Sequence, residues 1–241
     1  MGRVSGAGTP TAERSYHHGD LRQTLIATAE TLLAEKGVEG FTLRECARRA
    51  GVSPAAPAHH FGNMTGLLTA IATLGFEGLA DAMESAAAAS DGTAEERLKA
   101  IGLGYIRFAL THPARFRVIF GRFPLDHDNA AFASASKHAF DILAQTVSTQ
   151  PGNSEPLDQQ AQADLVFAWS TVHGFANLAL DGQMPFVEEA DREAALEALA
   201  ERVVRLIPAA TEERPRPAPS ANHRPAAAGR ARTSGGSDRG A

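Results

Sequence analysis

Thr42-Leu43-Arg44-Glu45-Cys46-Ala47-Arg48-Arg49-Ala50-Gly51-Val52-Ser53-Pro54-Ala55-Ala56-Pro57-Ala58-His59-His60-Phe61 is the stretch on which the fold turns. Thr42 and Glu45 have the spacing of a capping box, so a helix is expected to start at Thr42. Gly51 ends it after two turns, because a residue without Cβ accepts the left-handed backbone that a tight turn needs. Ser53 as N-cap and Pro54 as first helical residue predict an immediate restart, since proline's missing N–H is harmless there. Val52 is expected to point inward, and Ala47 and Ala50 are small enough to let two helices approach. Two short helices joined by a tight turn make a helix-turn-helix, whose second helix enters a major groove.

Outward from this stretch the pattern is helical. Leu21, Leu25, Ala29, Leu32 and Leu33 recur at helical spacing, with Gly37 as the stop. Asn63 is positioned to cap a helix carrying Leu67, Leu68, Ile71, Leu74 and Leu79 to about Met83. Thr93 and Glu96 form a second capping box, opening a helix that stops at His112-Pro113. Helical patterns follow over 129–149, 157–180 and 188–207, the last with Leu196, Leu199, Val203 and Leu206 on one face. No stretch alternates with period two. The expected class is all-α. A three-helix DNA-binding domain takes residues 16–83, its helix-turn-helix 42–61. A helical bundle for ligand binding and dimerisation takes 84–207. Residues 1–15 read as a disordered arm and 208–241 as a disordered tail rich in Pro, Ala and Arg.

Composition narrows the function. The 241 residues are 44% hydrophobic, enough for a substantial core, and the net charge of −5 means that any affinity for nucleic acid comes from a local patch. One cysteine, Cys46, excludes an internal disulfide and a cysteine-based zinc site. With no apolar stretch at the N-terminus and no run near 18 apolar residues, a signal peptide and a membrane span are not expected, and a cytoplasmic location is. Asn63-Met64-Thr65 matches a glycosylation sequon, which carries no meaning in a cytoplasmic chain. There is no nucleophile elbow, Walker loop or H-E-x-x-H, and no metal or organic cofactor is implied, so an enzyme is not expected.

Tyr16-His17-His18-Gly19-Asp20-Leu21-Arg22, the run Thr42–Ser53 and His60-Phe61 resemble the TetR/AcrR family of bacterial repressors. Trp169-Ser170-Thr171-Val172-His173-Gly174 and His112-Pro113-Ala114-Arg115-Phe116-Arg117 resemble one subgroup, marked by a Trp-x-x-x-His-Gly signature in its effector domain. The resemblance implies a homodimer on double-stranded operator DNA, joined through the last two long helices and released by a small-molecule effector. On the DNA side it points to Thr42, Arg44, Ser53, Pro54, Ala55, Ala56, Ala58, His59, His60 and Asn63, with Arg14, His17 and His18 of the arm in support. On the effector side Tyr105, Phe116, Phe120, Phe167, Trp169 and His173 stand either as pocket lining or as plain core, and the last two also as packing at a dimer seam. Where the family has Leu-Tyr this chain has Pro57-Ala58, and Met64 replaces the usual lysine. Each change removes a phosphate contact. They motivate a second expectation, an effector-binding or protein-interaction dimer that has lost sequence-specific DNA binding.

Overall fold

A computed structural model describes residues 13–37, 40–148 and 157–207. The expected tail, 208–241, and most of the expected arm lie outside them. The described residues form helices and connecting turns, with no strand. In chain order these are α1 (Glu13–Lys36), α2 (Leu43–Arg49), α3 (Ala56–Phe61), α4 (Met64–Ala88), α5 (Ala94–Thr111), α6 (Pro113–Phe120), α7 (Ala130–Ser148), α8 (Gln159–Leu180) and α9 (Arg192–Arg205), with a 3₁₀ turn, Glu189–Asp191, before α9. Because α1 begins at Glu13, the last residues assigned to the arm are helical, and Arg14, His17 and His18 lie on its first turns.

Helix ends follow local chemistry. Gly37, at φ +66°, returns its N–H to the Leu33 carbonyl and stops α1. Asn63 accepts the Gly66 N–H at 2.9 Å and starts α4. Thr93 and Glu96 form the complete reciprocal box at the start of α5. At α2 only half of the expected box forms. Thr42 Oγ1 accepts the Glu45 N–H at 3.1 Å, but the Glu45 carboxylate does not turn back. Arg48 holds it with two 2.8 Å hydrogen bonds, and Lys36 lies 3.6 Å away. A charged fork outcompetes a neutral backbone N–H for the same oxygens.

The expected start of α3 also moves. Pro57 has no N–H to give the Ser53 carbonyl, so a helix beginning at Pro54 would lack its first bond. The Ser53 carbonyl takes the Ala56 N–H at 3.0 Å instead, closing a turn, and the helical ladder begins with His59 N–H to Ala55 C=O. Ala55, not Ser53, is the N-cap, and it supplies no side-chain cap. Pro57 falls at the second helical position, where a missing donor costs nothing.

One continuous apolar core runs from the helix-turn-helix end to the far bundle. Leu25, Ile26, Leu32, Cys46, Leu67, Leu68 and Ile71 fill the first part, and Leu79, Met83, Ile101, Tyr105, Phe116, Val172 and Leu196 the second. α4 belongs to both, so the expected boundary after residue 83 falls inside an unbroken helix. Helices α4 and α5 cross tightly at Gly104, where a Cβ would stand 2.6 Å from the Ala82 carbonyl oxygen. α4 is also long and apolar enough to cross a membrane, but half of its apolar window is buried within the protein, as in a core helix. On α9 the buried stripe is Leu196, Ala200 and Val204, continued past the helix end by Ile207. Leu199 and Val203 flank it, and Leu206, expected on the same face, is 77% exposed.

Candidate nucleic-acid interface and effector core

At the first end, α1, α2 and α3 pack through Cys46 and Ala47, both wholly buried, and through Val52 at the turn. Gly51 adopts φ +70°, the left-handed geometry expected of it. The Cys46 thiol donates to the Leu25 carbonyl at 3.5 Å, and burial raises its pKa to about 11. It is a packing residue with little thiolate character. Arg22 sits 5.2 Å over the Phe61 ring, tying the end of α3 to α1.

Thr42, Arg44, Ser53, Pro54, Ala55, Ala58, His59 and Asn63 are exposed, and together they line the α2–α3 end of the molecule. Ala56 and His60 are half-buried, and Pro57 is buried against the core. Arg44 makes no ion pair among the described residues. Arg48 and Arg49 are engaged by Glu45 and Glu35. Arg48 holds the Glu45 carboxyl down at about pKa 2. Arg44 is therefore the basic side chain of α2 left available to an external anion.

At the second end, five of the six expected effector residues converge. The Tyr105 hydroxyl lies 2.8 Å from His173 Nδ1, and Trp169 Nε1–H donates to the Tyr105 oxygen at 3.4 Å. Burial pushes the tyrosine pKa up and the histidine pKa down, so the tyrosine keeps its proton and the histidine is neutral. Trp169 donates to the Tyr105 oxygen, and the tautomer of the neutral His173 ring sets which partner donates in the Tyr105–Nδ1 bond. Phe120 meets His173 edge-on at 4.8 Å between centroids, and Phe116 meets Tyr105 at 5.7 Å. Phe167 is not part of this group. It is 52% exposed on the outer side of α8, with Val166 and Leu178. Beside Trp169, a narrow slot of about 10 Å³ is walled by Leu98, Ile101, Leu143, Leu165, Val172 and other apolar residues. That is room for about one water molecule.

α6 connects the two ends, a link with no counterpart in the sequence pattern. Phe116 and Phe120 face the Tyr105–His173 pair. One residue back from each, Ile119 packs against Gly75 of α4, and Arg115 Nε donates to Glu30 of α1 at 2.7 Å. Pairing across 85 positions leaves no signal in a local pattern. Next to α6, Thr69 Oγ1 of α4 accepts the Asp126 N–H at 2.9 Å and holds the loop that follows.

Comparisons with known proteins agree with this arrangement. The model of bacterial regulatory proteins of the tetR family matches residues 25–71, and that of the tetracyclin repressor-like C-terminal domain matches residues 98–230. No curated protein matches the chain. A solved protein of unknown function from Rhodococcus sp. RHA1 is 32% identical, with a TM-score of 0.60 over 79% of this chain and 96% of that one. The TetR family transcriptional regulator PfmR from Thermus thermophilus is 22% identical, with a TM-score of 0.57 over 75% and 97%. The transcriptional regulator FadR from Bacillus subtilis, solved in complex with stearoyl-CoA, shares the fold at 18% identity, with a TM-score of 0.59 over 77% and 96%. With a helix-turn-helix at one end and a repressor-like C-terminal domain matched over more than half of the sequence, this chain belongs to the TetR family of DNA-binding transcriptional regulators.

Proposed function

We propose that this regulator is a cytoplasmic homodimeric repressor, released from its operator when a small molecule enters the core around Tyr105, Trp169 and His173. The observation that carries this reading is α6, one eight-residue helix that touches both ends. Its Phe116 and Phe120 lie against the aromatic core, and its Arg115 grips α1 of the DNA-binding end. A ligand that widens the narrow slot must displace neighbouring side chains, and α6 carries that displacement towards Glu30. The slot walls are apolar, so they suit a largely apolar effector. The exposed apolar ridge of Val166, Phe167 and Leu178 on α8, with Leu206 beyond the end of α9, is the surface for the second copy. On the DNA side, Thr42, Arg44, Ser53, His59, His60 and Asn63 supply donors, Arg44 to a phosphate.

Fluorescence anisotropy tests this directly, using the duplex upstream of the gene and a scrambled duplex at several salt concentrations. Specific binding to the upstream duplex is expected. Equal, weak and steeply salt-dependent binding to both would favour the second reading, a dimer whose head lost specificity with Pro57, Ala58 and Met64.

A further inference from the structure

The recognition surface has an unusual chemistry. From residue 53 to residue 60 there is no Arg, Lys, Asn or Gln, the side chains that read guanine and adenine edges through paired hydrogen bonds. What the turn and α3 expose is Ser53, Pro54, Ala55, Ala58 and His59. Three of these five present only carbon. The floor of the major groove offers one apolar feature, the C5 methyl of thymine. A helix faced with alanine is also thin. Its axis can come nearer the base edges than that of a helix carrying long side chains, and the buried Pro57 adds nothing to its outer face.

We propose that this regulator reads its half-site chiefly through thymine methyl groups packed against Pro54, Ala55 and Ala58, with His59 as the hydrogen-bonding base reader. The proposal rests on the DNA-binding reading above and specifies its ligand: a duplex whose half-site thymines are recognised by their methyl groups. Arg44, on α2, anchors the backbone and does not enter this discrimination.

The test leaves the protein unaltered. The full chain is used to select binders from random duplexes, and each thymine of the selected half-site is then replaced by deoxyuridine, which deletes the methyl alone. The expected result is a half-site containing thymines, with affinity falling about 4-fold for each contacted methyl removed, the size of one buried carbon, at an unchanged salt slope. In Ala58→Gly the ratio of thymine to deoxyuridine affinity should shrink at one position. That ratio is independent of any weakening of the helix. Equal affinities for thymine and deoxyuridine duplexes would overturn the proposal while leaving DNA binding intact. A selection that enriches no sequence would overturn the DNA-binding reading and this proposal together.

Discussion

Tyr105 of α5 and His173 of α8 share a 2.8 Å hydrogen bond inside a shell of aromatic rings, and Trp169 closes the chain by donating to the same tyrosine oxygen. Two helices of the effector core are thereby joined through a polar link in an otherwise apolar environment. A hydrogen bond so placed contributes modestly when made, and leaving its partners unpaired is expensive.

Tyr105→Phe removes one oxygen and strands two groups, the Trp169 N–H and the His173 Nδ1. The expected loss of stability is about 1–3 kcal/mol. Urea unfolding followed by tryptophan fluorescence reads it directly, since Trp169 is the only tryptophan. A midpoint equal to that of the parent chain would mean that the link contributes nothing.

Burial lowers the His173 pKa below its ordinary 6.5. Below pH 6.5 the unfolded chain therefore binds its proton more readily than the folded one. The stabilisation is complete above 6.5 and declines as pH falls towards the folded pKa. His173→Asn keeps a group able to hydrogen-bond Tyr105 in either direction and carries no charge. Melting temperatures recorded between about pH 7.5 and 5 should fall more steeply in the parent chain than in the variant. Parallel profiles would contradict the assignment.

The ion pair between Arg115 and Glu30 is about three-quarters covered. Separate and combined replacement by Ala should give a coupling energy of about 1 kcal/mol or less for folding. The larger consequence is expected in regulation. Arg115→Ala should retain DNA affinity and lose part of the response to effector, scored as the ratio of operator affinities with and without ligand. An undiminished ratio would move the coupling to another contact.

Phe167 is exposed, so a charge there leaves the protomer intact and falls on the ridge assigned to the second copy. Phe167→Glu is expected to sediment as a folded monomer and to bind operator DNA far more weakly, because two half-sites are no longer gripped together. A dimer of unchanged sedimentation coefficient would place the interface elsewhere. This variant is the cleaner probe than a charge at Leu199 or Val203, both of which also pack within the protomer.

Much of this architecture is legible residue by residue. Gly37, Gly51, Asn63 and the Thr93–Glu96 pair act on neighbours within four positions, so their signals are complete in the local sequence. The start of α3 escapes such a reading because two local rules conflict there: Ser53-Pro54 signals a beginning, and Pro57 removes the bond that beginning needs. Phe167 and Trp169 share aromatic character but not a helix face. At 3.6 residues per turn, two positions apart means nearly opposite sides of a helix, and the phase set by Leu165, Ala168 and Val172 places Phe167 outside. Arg115 and Glu30 meet only through the tertiary fold, as do Thr69 and Asp126.

The unbroken α4 has a bearing on protein engineering. Its 25 residues span about 37 Å and seat the DNA-reading end with Leu67, Leu68 and Ile71, and the effector core with Leu79 and Met83. Exchanging heads among relatives therefore means splicing within a helix. A junction one residue out of step would turn one half against the other by about 100°, tearing Glu30 away from Arg115. Chimaeric sensors built on this chain should keep α4 at its native length, because even a change of about seven residues, which nearly restores the angle, separates the two ends by about two helical turns.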